Sequence, residues 1–106
     1  MSNEMQSYKC IDVNEAQELI KNNKVTIADI RDTGSYQEGN IPDSINLTDQ
    51  NINEFMDTAD RSAHLLVYCY HGNNSISAAE YFSKNGFTSV FSLDGGYAEY
   101  SQHDSR

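Results

Sequence analysis

The sequence predicts an α/β fold in which a parallel sheet carries helices on both faces. Two observations support that prediction. Short strand-like apolar runs alternate with stretches whose apolar residues recur at helical spacing, and neither an internal repeat nor a shift in composition interrupts the alternation. Strands joined through helices in this way run parallel, because the crossover packs back onto the sheet with one hand only. A length of 106 residues suits one domain, taken here as residues 1–106 with a core over about 8–100. A domain of that size buries roughly two-thirds of its unfolded surface, enough for one core without a metal or disulfide.

The elements follow in order. Tyr8 to Ile11 reads as a short strand. Asp12 or Asn14 can cap a helix on which Ala16, Leu19 and Ile20 share a face, and the polar run Lys21 to Lys24 ends it. Val25 to Asp29 reads as a buried strand. Asp32 to Glu38 allows one or two helical turns stopped by Gly39. Ser44 to Leu47 is a third strand. Thr48 or Asp49 can cap the next helix, with Ile52, Phe55 and Met56 inward. His64 to Tyr68 is the strongest strand in the chain. A helix then starts at Asn74, Ser75 or Ser77, with Ser77 and Glu80 at capping-box spacing and Asn85-Gly86 as its stop. Ser89 to Leu93 is a fifth strand. Gly95-Gly96 leads into a last short helix with Tyr97 and Tyr100.

Composition excludes several partners. Hydrophobic residues make up 38% and charged residues 22%, as in a globular protein. Sixteen acidic against seven basic residues give a formal charge of −9, which argues against nucleic acid and anionic lipid. An anionic substrate must then be attracted locally, against the overall field. The N-terminal run has neither a basic region nor an apolar one, and no stretch is long enough to span a bilayer, so the expectation is a cytoplasmic protein without a membrane partner. Cys10 and Cys69 form no CxxC pair and read as free thiols.

In such a sheet, ligands sit beyond the carboxyl ends of the strands. Two segments stand there. Ile30-Arg31-Asp32 follows the second strand, and Cys69-Tyr70-His71-Gly72-Asn73-Asn74 follows the strongest one. A loop that curls over a helix N-terminus turns its backbone N–H groups inward and makes an anion cradle. Cys69 would lie at its centre with a lowered pKa, as a nucleophilic thiolate. Gly72 permits positive φ, Asn73 and Asn74 tolerate left-handed geometry, and His71 is the one loop side chain able to carry positive charge. On spacing alone, Cys69 as a small buried hydrophobe, Gly72-Asn73 as an ordinary turn and His71 as a plain loop histidine stay open. A metal reading of Cys69 and His71 lacks a second paired motif, and none is expected.

Four motifs resemble a known family, the single-domain rhodaneses, and most closely their GlpE type of thiosulfate sulfurtransferase. They are Asp29-Ile30-Arg31-Asp32, similar to a "DIRD" strand end; Gly39 to Ser44, similar to "GHIPGA"; Cys69 to Ser75, similar to the active loop "CYHGNSS"; and Leu93 to Gly96, similar to an "L-x-GG" turn. The resemblance spans about Tyr8 to Tyr100. It implies a rhodanese-like five-stranded parallel sheet between helices. It further implies that Cys69 takes a sulfane sulfur from thiosulfate, stands as a persulfide cradled by Cys69 to Asn74, and passes the sulfur to a thiophilic acceptor such as cyanide, a dithiol or thioredoxin. No cofactor is needed for such covalent ping-pong transfer.

Departures from the pattern are Asn40 for His, Asp43-Ser44 for Gly-Ala, and Asn74 for Ser. Arg31 can pair with Asp29, Asp32 or another acid to orient the site, or lend its charge to substrate; the structural pair is the favoured reading. Two other functions compete. A Cys-dependent phosphatase needs Cys-x5-Arg to bind phosphate bidentately, but Ser75 holds that position. A non-catalytic sulfur carrier or regulatory module would dock on a partner protein and ignore thiosulfate.

Overall fold

A computed structural model of the protein describes residues 8–103. The predicted alternation becomes β1 (Tyr8–Ile11), α1 (Val13–Asn22), β2 (Val25–Asp29), α2 (Thr33–Glu38), β3 (Ile45–Asn46), α3 (Ile52–Thr58), β4 (His64–Tyr68), α4 (Asn74–Lys84), β5 (Val90–Leu93) and α5 (Gly96–His103). The strands form one five-stranded sheet in the order β1-β5-β4-β2-β3, and every pairing is parallel.

The central strand shows why both faces are covered. Successive side chains of a strand point to opposite faces. On β4, Leu66 and Tyr68 face one side and join Ile11, Val13, Ala16, Ile27, Leu93 and Tyr100. Leu65 and Val67 face the other and join Ala28, Ala79, Phe82, Phe87 and Val90. Helices α1 and α5 therefore close the first face, and α3 and α4 close the second, through Ile52, Phe55 and Met56 as well as Phe82. Phe55, Phe82 and Phe87 stack and cross at centroid distances of 5.4 to 6.0 Å, an arrangement favoured by the ring quadrupoles.

Side-chain caps explain the starts of α1 and α2, and at α3 and α4 two expectations are corrected. Asp12 caps α1 through the Glu15 amide, and Glu15 returns the bond to the Asp12 amide. Asp32 caps α2 through the Ser35 amide. Neither Thr48 nor Asp49 caps α3; its N-cap is Asn51, whose Oδ1 instead accepts from the Thr48 amide. Nor do Ser77 and Glu80 form a capping box, because α4 begins at Asn74 and places Ser77 inside the helix. Gly39 ends α2 in an extended conformation, φ 172, rather than a left-handed one.

Strand order locates the crevice. From β2 the chain moves outward to β3, and from β4 it moves the other way to β5. The switch point lies between β2 and β4, where a doubly wound sheet leaves an opening beyond the carboxyl ends of its strands. The segments after Asp29 and after Tyr68 flank that point.

Candidate active site

Cys69 follows β4 directly and is 5% exposed. The amide of Gly72 donates to its Sγ at 3.1 Å and that of Ser75 at 3.3 Å. The physical origin is the start of α4. Its N-cap Asn73 has a helical backbone and makes no side-chain cap bond. The first-turn amide of Ser75, which a cap would satisfy, is thus left to the sulfur, and the Gly72 amide, just ahead of the N-cap, joins it. Burial pushes the Cys69 thiol up, but hydrogen bonds from the Ser75 hydroxyl and amide and the Gly72 and Asn74 amides outweigh it and hold the pKa below the ordinary value. At Cys10, exposed on the edge strand β1, burial and then the Asp94 charge act together and raise the thiol pKa.

The loop is held in shape from behind. The Tyr97 amide donates to the Cys69 carbonyl at 2.8 Å, and the Ala98 amide to the Tyr70 carbonyl at 2.9 Å. Across a trans peptide, carbonyl and following N–H point opposite ways, so the amides of Tyr70 and His71 are directed away from α5. Two glycines make this fit possible. Gly96 has φ 60, and a Cβ there would lie 2.5 Å from the Tyr70 oxygen. Gly72 has φ 96, and a Cβ there would lie 2.9 Å from the Gly95 nitrogen. The predicted site residues Tyr70, His71, Asn73 and Asn74 expose their side chains, while Gly72 is buried. The rings of Tyr70 and His71 meet edge to face at 4.6 Å.

Across the crevice, Asp29 and Arg31 are brought together. The guanidinium donates from Nη2 to Asp29 Oδ2 at 2.6 Å and from Nε to both carboxylate oxygens at 3.1 Å. The Arg31 amide also donates to Asp29 Oδ1, and Nη2 reaches the Gly39 carbonyl at 2.7 Å. Burial acts to lower the Arg31 pKa, but the Asp29 carboxylate outweighs it and raises the value above the ordinary one. The plane of the guanidinium is covered by Tyr97 at 4.3 Å and Tyr68 at 5.5 Å. Burial above all, then the Asp29 carboxylate, drives the Tyr68 phenol pKa far up, so its hydroxyl stays protonated. That hydroxyl accepts from the Ile41 amide and contacts Ser44 Oγ, both at 3.1 Å. Asp32 takes no part in the pair, since it is committed as the α2 cap. Beside the loop, a cleft of about 300 Å³ is lined by Arg31, Ser35, Glu38, Gly39, Tyr70 and Tyr97.

Sequence reasoning left Ser75 and Ser92 out of the site. Ser75 was visible as the last letter of the loop motif. Ser92 had a weaker signal, a lone hydroxyl interrupting the apolar run Val90-Phe91-Ser92-Leu93. Among the described residues, no cluster of three or more His, Cys, Asp or Glu side chains is placed to hold a metal ion, and no helix is long and apolar enough to cross a membrane.

A family model described as the rhodanese-like domain matches residues 12–103. A thiosulfate sulfurtransferase GlpE of Coxiella burnetii is 41% identical over 96 residues, covering 91% of this chain and 90% of that protein. A thiosulfate sulfurtransferase GlpE of Shewanella oneidensis is 39% identical over 98 residues, covering 92% of this chain and 97% of the other. Among solved structures, a rhodanese-related protein of Thermoplasma volcanium is similar with a TM-score of 0.77 at 29% identity, over 92% of this chain and 94% of that one.

Proposed function

This chain belongs to the rhodanese-like domain family, and from that premise we propose that it is a thiosulfate sulfurtransferase whose nucleophile is Cys69. The observation that carries the reading is the convergence of the Gly72 and Ser75 amides on the Cys69 sulfur at the head of α4. Such donors favour negative charge on sulfur whether it belongs to a thiolate or to the outer atom of a persulfide.

The proposed reaction has two displacements. The Cys69 thiolate attacks the sulfane sulfur of thiosulfate; a new S–S bond forms, the old one breaks, and sulfite leaves with the bonding pair. The product is a Cys69 persulfide. A thiophilic acceptor then attacks the outer sulfur, and the bonding pair returns to Cys69 as thiolate. With cyanide the product is thiocyanate; with a dithiol, or with thioredoxin as a protein acceptor, one thiolate takes the outer sulfur, the second closes a disulfide on the first, and the sulfur leaves as sulfide. The two electrons that reduce it come from the dithiol, the cyanide route involves no net redox change, and neither half-reaction calls for a cofactor. Arg31 orients the crevice rather than carrying substrate charge in this scheme, because its guanidinium is already committed to Asp29 and Gly39. With a net charge of −9 on the chain, thiosulfate is attracted only by groups of the loop itself, and a high KM is expected.

The test is a thiosulfate–cyanide assay paired with intact-mass measurement. Thiosulfate should add about one sulfur atom, roughly 32 Da, to Cys69, and a dithiol should remove it. Protein that stays unmodified by thiosulfate, yet accepts sulfur from a persulfidated partner protein, would mark a carrier instead of an enzyme.

A further inference from the structure

We propose that Ser92 is a positioning residue for the Cys69 thiolate, holding the Ser75 hydroxyl so that its proton turns to the sulfur. The proposal rests on Cys69 being the nucleophile. Ser92 lies on β5 between Phe91 and Leu93, with Val67 of β4 and Cys10 of β1 as its register partners. Ser75 and Ser92 are both 0% exposed. A hydroxyl at such a place is costly unless it is bonded, and its partner is Ser75 Oγ at 2.8 Å.

Each hydroxyl brings one proton and accepts on its lone pairs. One proton occupies the Ser75–Ser92 contact, so its direction decides what Ser75 offers to Cys69. Were Ser75 the donor, it would turn lone pairs toward a negative sulfur. With Ser92 the donor, the Ser75 proton is released to Sγ. A thiolate selects the second arrangement, and Ser92 to Ser75 to Cys69 becomes a chain in which each bond polarises the next. Ser75 then serves the sulfur twice, because its backbone amide already donates at 3.3 Å. The Ser75 side chain is one of the groups that lower the Cys69 pKa.

Site-resolved alkylation of Cys69 by iodoacetamide, followed by peptide mass spectrometry across a pH series, tests the chain without needing sulfur transfer. At a pH about one unit below the wild-type midpoint, Ser92→Ala should slow alkylation roughly three- to tenfold, the equilibrium worth of one neutral hydrogen bond. Ser75→Ala should slow it at least as much. The Ser75→Ala/Ser92→Ala double variant should be no slower than Ser75→Ala, since Ser92 acts only through Ser75. A wild-type profile in Ser92→Ala, or losses that multiply in the double variant, would overturn the proposal. A wild-type Cys69 that alkylates only in the ordinary thiol range would instead remove the nucleophile reading itself.

Discussion

Two loops stand at the carboxyl ends of neighbouring strands, and they spend their polar groups in opposite ways. After β2, the charges of Asp29 and Arg31 answer each other almost completely, under two tyrosine rings and a backbone carbonyl. After β4, the amides of Gly72 and Ser75 have no acid, cap or carbonyl to bond and meet a sulfur instead. The first loop is closed upon itself; the second is open by design of its backbone. A buried polar group with every partner supplied contributes order, whereas donors left to one polarizable atom contribute reactivity. The same fold position therefore yields a wall on one side of the crevice and, in the proposed reaction, the nucleophile on the other.

The strongest way to break this contrast is to exchange the sulfur. Cys69→Ser should cut thiocyanate formation by about ten-thousandfold or more while leaving the protein cooperatively folded. Cys10→Ser should stay within about twofold in rate, since that thiol lies on an edge strand with its pKa raised, first by burial and then by Asp94. Equal losses in the two variants would end the distinction between them.

Next comes the closed loop. Arg31→Ala strands a carboxylate that is 0% exposed and should destabilise the fold by about 3–5 kcal/mol, read from denaturant midpoints. The fraction that remains folded should still alkylate at Cys69. A variant with normal stability and lost activity would place Arg31 on the substrate after all. Gly72→Ala should follow, with a loss of about 1–3 kcal/mol and a slower alkylation, because the new methyl meets the Gly95 backbone at a positive φ.

The pH dependence sharpens the contrast further. The Cys69 pKa is depressed by folding. Its contribution to stability is therefore present above the unfolded thiol pKa and fades as pH falls through the folded value. The stability gap between wild type and Cys69→Ser should widen with rising pH across that window. A gap independent of pH would show that the amides do not select the thiolate. The smallest effect is expected at Asp43, the one non-glycine at positive φ among the described residues, φ 70. Asp43→Gly should stabilise by about 0.5–1 kcal/mol and leave Cys69 alkylation unchanged.

The legible part of the molecule was the part written in local pattern. The strands Val25–Asp29 and His64–Tyr68 match their predicted bounds, because a buried strand must be an apolar run. The Cys69 to Ser75 loop could be singled out because thiol, glycine and a following helix are contiguous in the chain. Caps were harder. Asn74 was among the three starts the sequence offered for α4 and is the one taken, but Ser77 with Glu80 has the capping-box spacing, and nothing local told that a sulfur would stand in for the cap instead. Ser92 was harder still, since its meaning depends on a residue 17 positions away.

By itself the chain's order of residues determined that strands and helices alternate, which thiol follows the strongest strand, and that acid and base recur two apart at Asp29 and Arg31. These are properties of neighbours, and local sterics and hydrophobic period suffice for them. Only the tertiary structure decided which acid Arg31 takes, that α5 amides grip the Cys69 and Tyr70 carbonyls, and that the buried hydroxyls of Ser75 and Ser92 meet. Those choices depend on strand order and on which groups lose their water together. Such desolvation is a property of the packed whole and has no signature in any short stretch of chain.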